Sequence, residues 1–490
     1  MNMAEQALAG PPDQVCIRQP FSDAGGSAQV ADITYAQLAE MTDRLARALQ
    51  GLVRPGDRVG VLLEQDMWCA ASHLAIWKIG AISVPLFKKF KRDALASRMR
   101  DAGISYVLTD RPGKALIGDL AQALFASEIG QDGPDVPFAD AASAVLIYTS
   151  GTTGAPKGAL HGHGLLSGHV PGVSLSHDQL GQPGDCLWTP ADWAWIGGLF
   201  DVLMPGLALG VPVVAHSPRK FDAAETADLI ARLGIRNVFF PPTALRMLRA
   251  AGTRISGLRT VASGGEPLGP EMLDWGRDAL GVTINEFYGQ TECNMVVSSC
   301  AAQFAPQPGC MGKPVPGFEV AVIDAQGKVT EDEGDIAVKR GAPSMMQGYW
   351  QNPEATAEKF RGDWMLTGDR GIQEGAYLRF VGREDDVITS AGYRIGPAEI
   401  EDCLLTHPAV ATCGVVGKPD RLRTEIVKAY VVAQPGCAPS AEELQAWVKE
   451  RLASYSYPRE IEFVTDLPMT VTGKVIRKEL KSRASAEVAP

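Results

Sequence analysis

From Ile33 onward the sequence alternates between two kinds of apolar segment. In one kind, apolar residues recur every three or four positions, which predicts amphipathic helices. In the other kind, apolar residues run together over a few positions, which predicts buried strands. Strands that alternate with helices in this way are typical of parallel sheets covered by helices. The alternation therefore predicts an α/β fold for most of the chain.

The first helix and the buried strands can be placed from this pattern. Thr34 and Gln37 have the spacing of a helix-capping box and Gly51 is a typical stop, so a helix is predicted between them. A second helix is predicted over Met67–Ile79. Buried strands are predicted at Arg58–Leu63, Ile82–Leu86, Ile104–Thr109, Ala144–Thr149, Val211–Ala215, Asn237–Phe240 and Leu258–Ser263.

The pattern changes twice towards the C-terminus. After about Pro314 the helices become rare, and short strands joined by turns predict a small antiparallel, barrel-like unit. The polar run Gly382–Asp386 is followed by strand and helix patterns that predict an α+β domain. A chain of 490 residues has room for several units of roughly 150 residues. We predict a large N-terminal domain, 1–382, and a smaller, mobile C-terminal domain, 383–490.

Composition excludes several classes of function. Lys and Arg number 46 against 57 Asp and Glu, and the net charge of −11 disfavours nucleic acid as a partner. The longest apolar run, Val202–Ala215, contains two prolines and is too short for a membrane span, so it is predicted as core. The nine cysteines form no C-x-x-C pair and no secretory signal is visible, which predicts a cytoplasmic protein with reduced thiols.

A loop rich in glycine and hydroxyl groups follows the predicted strand that ends at Thr149. Its residues Ser150–Gly158 are SGTTGAPKG. Glycines let a backbone approach phosphate closely, hydroxyl and N–H groups donate to it, and Lys157 adds a positive charge. The spacing differs from the Walker pattern. A plain surface turn is the alternative, but such a composition directly after a buried strand favours a phosphate-binding loop.

This loop and five later segments, in this order, resemble the signature motifs of the adenylate-forming (ANL) superfamily, in particular those of acetyl-CoA and medium-chain acyl-CoA synthetases. The later segments are Gly264–Pro267, Glu286–Glu292, Thr367–Asp369, Gly382–Gly396 and Pro468–Lys474. The resemblance implies an ATP-dependent acid–thiol ligase. Such an enzyme joins a carboxylic acid to AMP, releases pyrophosphate, and then transfers the acyl group to CoA with release of AMP.

The resemblance also implies which residues bind the nucleotide and its metal. Asp369 is expected to accept hydrogen bonds from the ribose hydroxyls, and Tyr288 is expected to stack on adenine. Glu292 and Thr149 are expected to hold Mg²⁺, which prefers hard oxygen ligands. The implied nucleotide contacts are Thr149, Ser150, Gly151, Thr152, Thr153, Gly154, Lys157, Gly265, Glu266, Pro267, Glu286, Phe287, Tyr288, Gly289, Gln290, Thr291, Asp369, Arg383, Arg394 and Lys474.

Catalysis is implied to require movement of the C-terminal domain. Attack of a carboxylate on the α-phosphate requires several negative oxygens to be neutralised at once, for which Lys474 and Mg²⁺ are the candidates. Because Lys474 is distant from the phosphate loop in the chain, its domain must close over the nucleotide. A later rotation about Asp385 is implied to present Ser390, Ala391 and Gly392 to CoA. The implied catalytic residues are Lys474, Glu292, Thr153 and Lys157.

The acid is expected to lie against Trp195, Gly197, Gly264 and Gly289. Acetate-activating members of the family have Trp where Gly289 stands, so glycine is expected to leave the floor of the pocket open. An apolar cavity favours acids that fill it, by about 0.8 kcal/mol per methylene group. The predicted substrate is therefore an acid larger than propionate, whether medium-chain, branched or cyclic.

Other functions are also compatible with parts of the sequence. A freestanding adenylation protein, which loads an acyl or aryl acid onto a separate carrier protein, would have the same motifs. A non-catalytic nucleotide-binding relative is disfavoured because the catalytic residues are intact. The segment Pro468–Lys474 also resembles a target of protein lysine acetyltransferases, so such an enzyme is a predicted partner that modifies Lys474. Core or exposed histidines, rather than a metal site, are predicted at His161, His163, His169 and His177.

Overall fold

The computed structural model arranges the chain in four β-sheets. It describes residues 1–22, 27–130, 132–149, 156–218, 220–390, 393–420, 423–452, 456–470 and 473–487. The strands in chain order are β1 (Val15–Ser22), β2 (Ala28–Thr34), β3 (Arg58–Leu62), β4 (Ile82–Pro85), β5 (Tyr106–Thr109), β6 (Gln122–Phe125), β7 (Val145–Thr149), β8 (Lys157–His161), β9 (Leu187–Trp188), β10 (Val213–Val214), β11 (Asn237–Phe239), β12 (Thr260–Gly264), β13 (Ile284–Gln290), β14 (Asn294–Ser298), β15 (Lys313–Pro314), β16 (Val320–Ile323), β17 (Gly334–Lys339), β18 (Gly348–Tyr349), β19 (Phe360–Arg361), β20 (Trp364–Glu374), β21 (Tyr377–Arg383), β22 (Ile388–Ser390), β23 (Tyr393–Ile395), β24 (Val410–Asp420), β25 (Thr424–Ala433) and β26 (Glu460–Phe463).

Helices connect most of these strands. Two segments form wider, π-helical turns: Leu199–Leu203, which joins α7 to α8, and Gly276–Leu280, which follows α11. The helices are α1 (Met3–Ala7), α2 (Tyr35–Gln50), α3 (Met67–Lys78), α4 (Arg92–Ala102), α5 (Arg111–Ile117), α6 (Gly164–Ser176), α7 (Ile196–Gly198), α8 (Met204–Ala208), α9 (Ala223–Leu233), α10 (Pro242–Ala250), α11 (Pro270–Trp275), α12 (Pro353–Glu358), α13 (Pro397–Leu405), α14 (Ala441–Arg451) and α15 (Arg477–Ala486).

Two large sheets form the body of the molecule. One has nine strands in the order β15-β14-β13-β12-β11-β9-β10-β1-β2, and the other has seven in the order β18-β8-β7-β4-β3-β5-β6. Their central strands pair in parallel, while β2, β14 and β15 at the ends of the first and β8 and β18 at one end of the second pair antiparallel. The predicted parallel α/β architecture is therefore confirmed.

The main core contains helices that are buried on nearly all sides. In α3, every residue from Cys69 to Lys78 is buried, as expected for a helix that is apolar all round. The charge of Lys78 is compensated by Asp43 of α2, whose Oδ1 lies 2.6 Å from the lysine Nζ. Trp77, Trp188 and Trp193 are also fully buried. These elements fix the sheet edges that carry the functional loops.

A smaller sheet follows the two large ones in the chain. It has the order β16-β17-β20-β19, and β21 pairs with β20. All of its pairs are antiparallel, as the turn-rich sequence after Pro314 predicted. Pairing of β20 with β21 sets Asp369 directly opposite Arg383.

The fourth sheet belongs to the C-terminal part of the chain and begins at Ile388. Its order is β23-β22-β25-β24, with β26 parallel to β25. Helices α13 and α15 pack against β24. This mixture of antiparallel strands and helices is the α+β arrangement predicted for this part of the chain.

The local predictions can be compared with the elements observed. Helix α2 begins after Thr34 with the predicted capping box, in which Thr34 Oγ1 and the Gln37 side chain bond each other's backbone N–H. The apolar run Val202–Ala215 is buried core, as predicted, except at Ala208, Leu209, Gly210 and Pro212, which are partly exposed. Among the described residues, no helix is both long and apolar enough to cross a membrane.

Candidate active site

The flanks of the phosphate loop are fixed by a β-hairpin. Strand β7 ends at Thr149 and β8 begins at Lys157, and these two residues are paired across the hairpin. The Thr149 hydroxyl donates to the Lys157 carbonyl at 3.3 Å. Between these flanks, Ser150, Gly151, Thr152, Thr153 and Gly154 lie outside the described residues.

Lys157 and Glu292 lie close to the same tyrosine. The Nζ of Lys157 is 5.2 Å from the centre of the Tyr349 ring, and the Tyr349 hydroxyl donates to Glu292 Oε1 at 2.6 Å. Glu292 is buried. Tyr349 therefore couples the lysine of the phosphate loop to the carboxylate predicted to hold the metal.

Strand β13 divides its side chains between two faces, as the period of a strand requires. Tyr288 and Gln290 point towards the segment Thr367–Asp369, while Phe287 points the opposite way, towards Gly264 and Phe239. The ring of Phe287 therefore lies on the face of the strand opposite Tyr288, and its contact with the nucleotide stays a prediction.

In the predicted ribose motif, two polar side chains contact Asp369. Tyr288 donates its hydroxyl to Asp369 Oδ2 at 2.5 Å, and Arg383 Nε lies 3.9 Å from Asp369 Oδ1. Burial raises the pKa of Asp369, while the Tyr288 hydrogen bond and the Arg383 charge act against that rise. The two carboxylate oxygens are thus oriented before any ligand binds.

A lysine not anticipated from the sequence anchors the neighbouring turn. Gln290 Nε2 donates to the Thr367 carbonyl at 3.0 Å, and Lys359 Nζ donates to Gln290 Oε1 at 3.1 Å and to the Leu366 carbonyl at 3.2 Å. These contacts tie β13 to β20. They hold two of the predicted nucleotide motifs in a fixed relation.

The segment predicted to flank adenine is braced by an arginine of α10. Arg246 donates to Glu266 Oε2 at 3.0 Å and to the Pro267 carbonyl at 3.3 Å. The N–H of Leu268 donates to Glu286 Oε1 at 3.3 Å. Gly265, Glu266, Pro267 and Glu286 are therefore brought together.

Carboxylates of the two parts of the chain face each other next to this segment. Burial and the charge of Asp402, on α13, raise the pKa of Glu286 to about 8. Burial and the charges of Glu271 and Glu401 raise the pKa of Asp402 to about 7. The contact between the N-terminal and C-terminal parts is therefore sensitive to ionisation.

Lys474 reaches into the cleft over Gly265. Its Nζ lies 3.6 Å from the position that a Cβ would take at Gly265, where φ is +100°. The turn that carries the lysine is fixed by hydrogen bonds between Thr470 and Lys474. It is docked on α10, because Thr243 Oγ1 donates to the Gly473 carbonyl at 3.3 Å. The predicted catalytic lysine is thus placed beside the adenine segment.

The surroundings of Lys474 lower the pKa of its ammonium group and leave that group without an ion-pair partner among the described residues. Lys474 is exposed, yet neighbouring protein atoms displace water from the ammonium and lower its pKa. Arg383 acts in the same direction, and Glu266 and Asp369 oppose it. No residue within the described ranges forms an ion pair with Lys474, so its charge is available for a ligand.

The segment predicted as the hinge is an exposed turn. The N–H groups of Asp386 and Val387 both donate to the Arg383 carbonyl at 3.0 Å, and the carbonyl of Asp385 accepts from Lys481 at 3.4 Å. Ser390 ends β22 and is paired with Tyr393 and Thr424, both in the C-terminal sheet. Ala391 and Gly392 lie outside the described residues, as does the side chain of Arg394.

Two of the residues predicted for the acid, Gly197 and Gly264, lie near the face of β13 that carries Phe287. A Cβ at Gly264 would lie 2.5 Å from the ring of Phe287, and a Cβ at Gly197 would lie 3.1 Å from the ring of Phe239. The rings of Phe239 and Phe287 pack with their centres 5.2 Å apart. These four residues form one aromatic wall that depends on two missing side chains.

Trp195 belongs to a second aromatic group. Its ring centre lies 5.4 Å from that of Phe87 and 5.8 Å from that of Phe90. The indole Nε1 is buried without a hydrogen-bond partner among the described residues. A buried indole N–H usually has a partner, so this nitrogen is a candidate for contact with a ligand.

The expectation that glycine at position 289 leaves the floor of the acid pocket open is wrong. A Cβ at Gly289 would lie 1.9 Å from the Asn294 carbonyl oxygen and 2.9 Å from the Cα of Met295. The register shift between Tyr288 and Gly289 brings the backbone of β14 into this space. Gly289 therefore permits a close backbone approach and leaves no open pocket floor.

The residues predicted for Mg²⁺ fit a metal that is shared with a substrate. Glu292 keeps Oε2 free of hydrogen bonds from the described residues, and Thr149 contributes a hydroxyl. No group of three or more metal-binding side chains occurs within the described part of the chain. Mg²⁺ is commonly bound by one or two carboxylates together with substrate phosphates, and this donor set suits that mode.

Comparison with known proteins agrees with the geometry. The model of the family of AMP-binding enzymes matches residues 4–350, and that of the AMP-binding enzyme C-terminal domain matches residues 399–474. The chain is 33% identical to an acetyl-coenzyme A synthetase of Bacillus subtilis (strain 168), over 92% of this chain and 84% of that protein. It is also 33% identical to the mitochondrial acyl-coenzyme A synthetase ACSM2 of Rattus norvegicus, over 94% and 86% respectively.

Solved structures have the same fold over the whole chain. ATP-bound MatB from Rhodopseudomonas palustris superposes with a TM-score of 0.87 at 26% identity, covering 100% of this chain and 99% of that one. The anthranilate CoA ligase AuaEII in complex with anthranoyl-AMP gives a TM-score of 0.88 at 26% identity, covering 100% and 98%.

The predicted nucleotide motifs belong to the large N-terminal part of the chain, and a lysine of the smaller C-terminal part lies over them. This arrangement is typical of an adenylate-forming enzyme. The chain belongs to the AMP-binding enzymes of the ANL superfamily, as the order of its motifs predicted. Its class is that of the AMP-forming acyl-CoA ligases, which use ATP to activate a carboxylic acid.

Proposed function

We propose that this protein joins a carboxylic acid larger than propionate to CoA through an acyl adenylate, with Mg²⁺ bound to ATP. The observation that carries the proposal is the position of Lys474 over Gly265, opposite Asp369 and Arg383. A lysine there can neutralise charge on the α-phosphate as the acid carboxylate attacks. Glu292 and Thr149 would hold the metal, which supplies further charge neutralisation on the phosphates.

The size of the acid is argued from the aromatic wall. Gly197 and Gly264 let the rings of Phe239 and Phe287 pack close to the backbone, so that the aromatic wall offers apolar surface that a hydrocarbon chain or ring of an acid would contact. Burial of added apolar surface favours larger acids. Among solved relatives, an anthranilate CoA ligase and an o-succinylbenzoate CoA synthetase carry aryl acids in their names, which favours a cyclic substrate here.

We also propose that a domain rotation separates the two half-reactions. The N-terminal domain would be 1–382 and the C-terminal domain 383–490, with Asp385 in the exposed turn as the hinge. In the observed orientation Lys474 Nζ lies over Gly265, in the segment predicted to flank adenine. Rotation would withdraw the lysine and bring the Ser390–Gly392 segment to CoA.

Two further predictions accompany this function. The cytoplasmic location stays a prediction, as does modification of Lys474 by a protein lysine acetyltransferase. Acetylation would remove the positive charge that the adenylation step requires. Incubation with an acetyltransferase and acetyl-CoA, followed by mass spectrometry, tests the modification directly.

The proposed function is tested by pyrophosphate release from ATP over a panel of carboxylic acids, with and without CoA. Acid-dependent release, together with CoA-dependent formation of a thioester, is expected. Release that CoA does not accelerate, with acyl transfer to an added carrier protein, would instead identify a freestanding adenylation protein. Absence of release with every acid would contradict both functions.

A further inference from the structure

A buried carboxylate lies behind the aromatic wall. Asp201 is 7% exposed and belongs to the π-helical segment Leu199–Leu203, between α7 and α8. π-Helical turns inside α-helices occur frequently at functional sites, where the wider turn redirects a side chain. A charged group in an apolar interior is costly unless hydrogen-bonding partners compensate it.

Only part of that compensation comes from the protein. Asp201 Oδ1 lies 2.5 Å from Nε2 of His169, on α6, and His169 is itself 1% exposed. Nδ1 of His169 has no partner among the described residues. The bond between His169 Nε2 and Asp201 Oδ1 is therefore the one hydrogen bond that these residues give to either side chain. Within the same described ranges, no donor reaches Asp201 Oδ2. The second oxygen is thus oriented and accepts no hydrogen bond from the described residues.

This second oxygen lies next to the acid side of the cleft. Asp201 Oδ2 is 3.3 Å from the position that a Cβ would take at Gly197, and the same position is 3.1 Å from the Phe239 ring. Any larger residue at 197 would stand between the carboxylate and the aromatic wall. With no side chain at position 197, Oδ2 is left open towards the wall.

The wall connects this carboxylate to the catalytic lysine. Phe239 packs on Phe287, and Phe287 packs against Gly264. The next residue, Gly265, lies under Lys474 Nζ. An acid whose carboxylate faces the lysine would therefore have its hydrocarbon part along the two rings and its remote end near Gly197.

We propose that Asp201, oriented by His169, accepts a hydrogen bond from a hydroxyl or amino group at the end of the acid remote from its reacting carboxylate. The inference rests on the proposed ligase function and specifies the substrate class of the same site. The aromatic rings bind the hydrocarbon part, and one buried polar group fixes its orientation, as is usual in small-molecule pockets.

Recognition of this kind discriminates strongly against acids that lack the donor. A bare acid would leave the carboxylate oxygen desolvated and unpaired, whereas an acid with the donor would satisfy it. Sites built to bond a substrate OH or NH reject analogues without it far more strongly than apolar pockets reject a size change. Asp201 is accordingly a specificity-determining residue.

The experiment compares matched acids on the full-length protein. Pyrophosphate release is measured with ATP, Mg²⁺ and phenylacetate, 4-hydroxyphenylacetate or 4-aminophenylacetate, and with hexanoate, 6-hydroxyhexanoate or 6-aminohexanoate. In at least one series we expect kcat/KM to favour a donor-bearing acid over the bare acid by roughly tenfold or more. Asp201→Asn, which is nearly isosteric, should abolish that ratio. Asp201→Leu should reverse it in favour of the bare acid.

A second variant keeps the inference testable if Asp201 variants do not fold. Gly197→Ala leaves the His169–Asp201 pair in place but narrows the opening towards Oδ2, so it should also lower the ratio. A wild-type preference for the bare acid in both series would overturn the inference and leave the ligase function standing. The same conclusion follows if a folded Asp201→Asn protein, or failing that Gly197→Ala, retains the wild-type ratio. Absence of release with every acid would overturn both proposals.

Discussion

The two faces of β13 are built on different physical principles. On the face predicted to bind the nucleotide, short polar contacts fix the side chains, as in Tyr288 to Asp369 at 2.5 Å and Gln290 to the Thr367 carbonyl at 3.0 Å. On the acid face, ring packing and missing side chains define the space, as at Phe239 and Gly197. One face is specified by donors and acceptors, and the other by shape.

This difference predicts how substitutions on each face affect the binding of ligands. A polar ligand that is always the same requires fixed donor and acceptor types at fixed positions, so substitutions there are expected to abolish binding. An apolar pocket can be lined by many combinations of side chains, so substitutions there are expected to change which acid is preferred. The predictions below separate these outcomes.

The largest expected effect concerns the hinge, which lies outside both faces. Asp385→Pro should leave adenylation intact, since no hydrogen bond from the Asp385 N–H occurs among the described residues. Fixing φ at this position should block rotation and lower thioester formation by more than about 100-fold. Pyrophosphate release and acyl-CoA formation are measured separately. Unchanged overall turnover would remove Asp385 from the hinge.

On the nucleotide face, Asp369→Asn should raise KM for ATP by about 10- to 100-fold. The substitution removes the charge that bonds ligand hydroxyls, and such bonds contribute about 1.5–3 kcal/mol. The ranking of acids should stay unchanged. Glu374→Gln, on the same strand β20 but at its far end, is the matched control and should keep the wild-type KM. A changed acid ranking in Asp369→Asn would contradict the separation of the two faces.

On the acid face, Phe239→Leu should leave KM for ATP within about twofold of wild type. The smaller side chain enlarges the space beside Phe287, so acids with one or two added methylene groups should gain by about tenfold in kcat/KM. The comparison is made with a homologous series of acids. An unaltered chain-length ranking would show that Phe239 does not line the acid pocket.

The smallest effect is expected from pH at the contact between the two parts of the chain. The pKa values of Asp402, about 7, and Glu286, about 8, are raised in this orientation, so it binds protons more tightly than an open one. The stabilisation of this orientation is therefore fully present only below the ordinary carboxyl pKa values of 3.8 and 4.5, and it is lost progressively as pH rises to about 7 and 8.

Adenylation by the wild-type protein should fall severalfold between pH 6 and pH 9. Asp402→Asn removes one of the repelling charges and should flatten the profile, whereas Glu450→Gln, an exposed residue of α14, should not. The measurement is acid-dependent ATP–pyrophosphate exchange as a function of pH. A profile of Asp402→Asn identical to that of wild type would contradict the role of this contact.

The sequence predicts local and motif-based features well for physical reasons. The capping box at Thr34 depends on residues three positions apart, and the strand predicted at Ala144–Thr149 depends on one continuous apolar run. Such features are encoded close together in the chain. The alternation of apolar segments likewise predicts the parallel sheets, because each strand carries its own pattern.

Features that depend on distant contacts could not be predicted in this way. The space at Gly289 is filled because a register shift brings Asn294 beside it, and no local pattern encodes that shift. The π-helical turn that brings Asp201 close to Gly197 lies in the segment Leu199–Leu203, where no local pattern distinguishes a π-helical turn from an α-helical one. Tyr349 and Lys359 reach the motifs from far along the chain, outside any recognised pattern.

The most direct test of the account is the partition of the two half-reactions in Lys474→Ala. The account predicts that adenylation is lost, while thioester formation from a supplied acyl adenylate and CoA proceeds at nearly the wild-type rate, because the lysine acts only while it lies over Gly265. Lys478→Ala, an exposed lysine on α15, should preserve both steps. Equal loss of both half-reactions in Lys474→Ala would contradict the account.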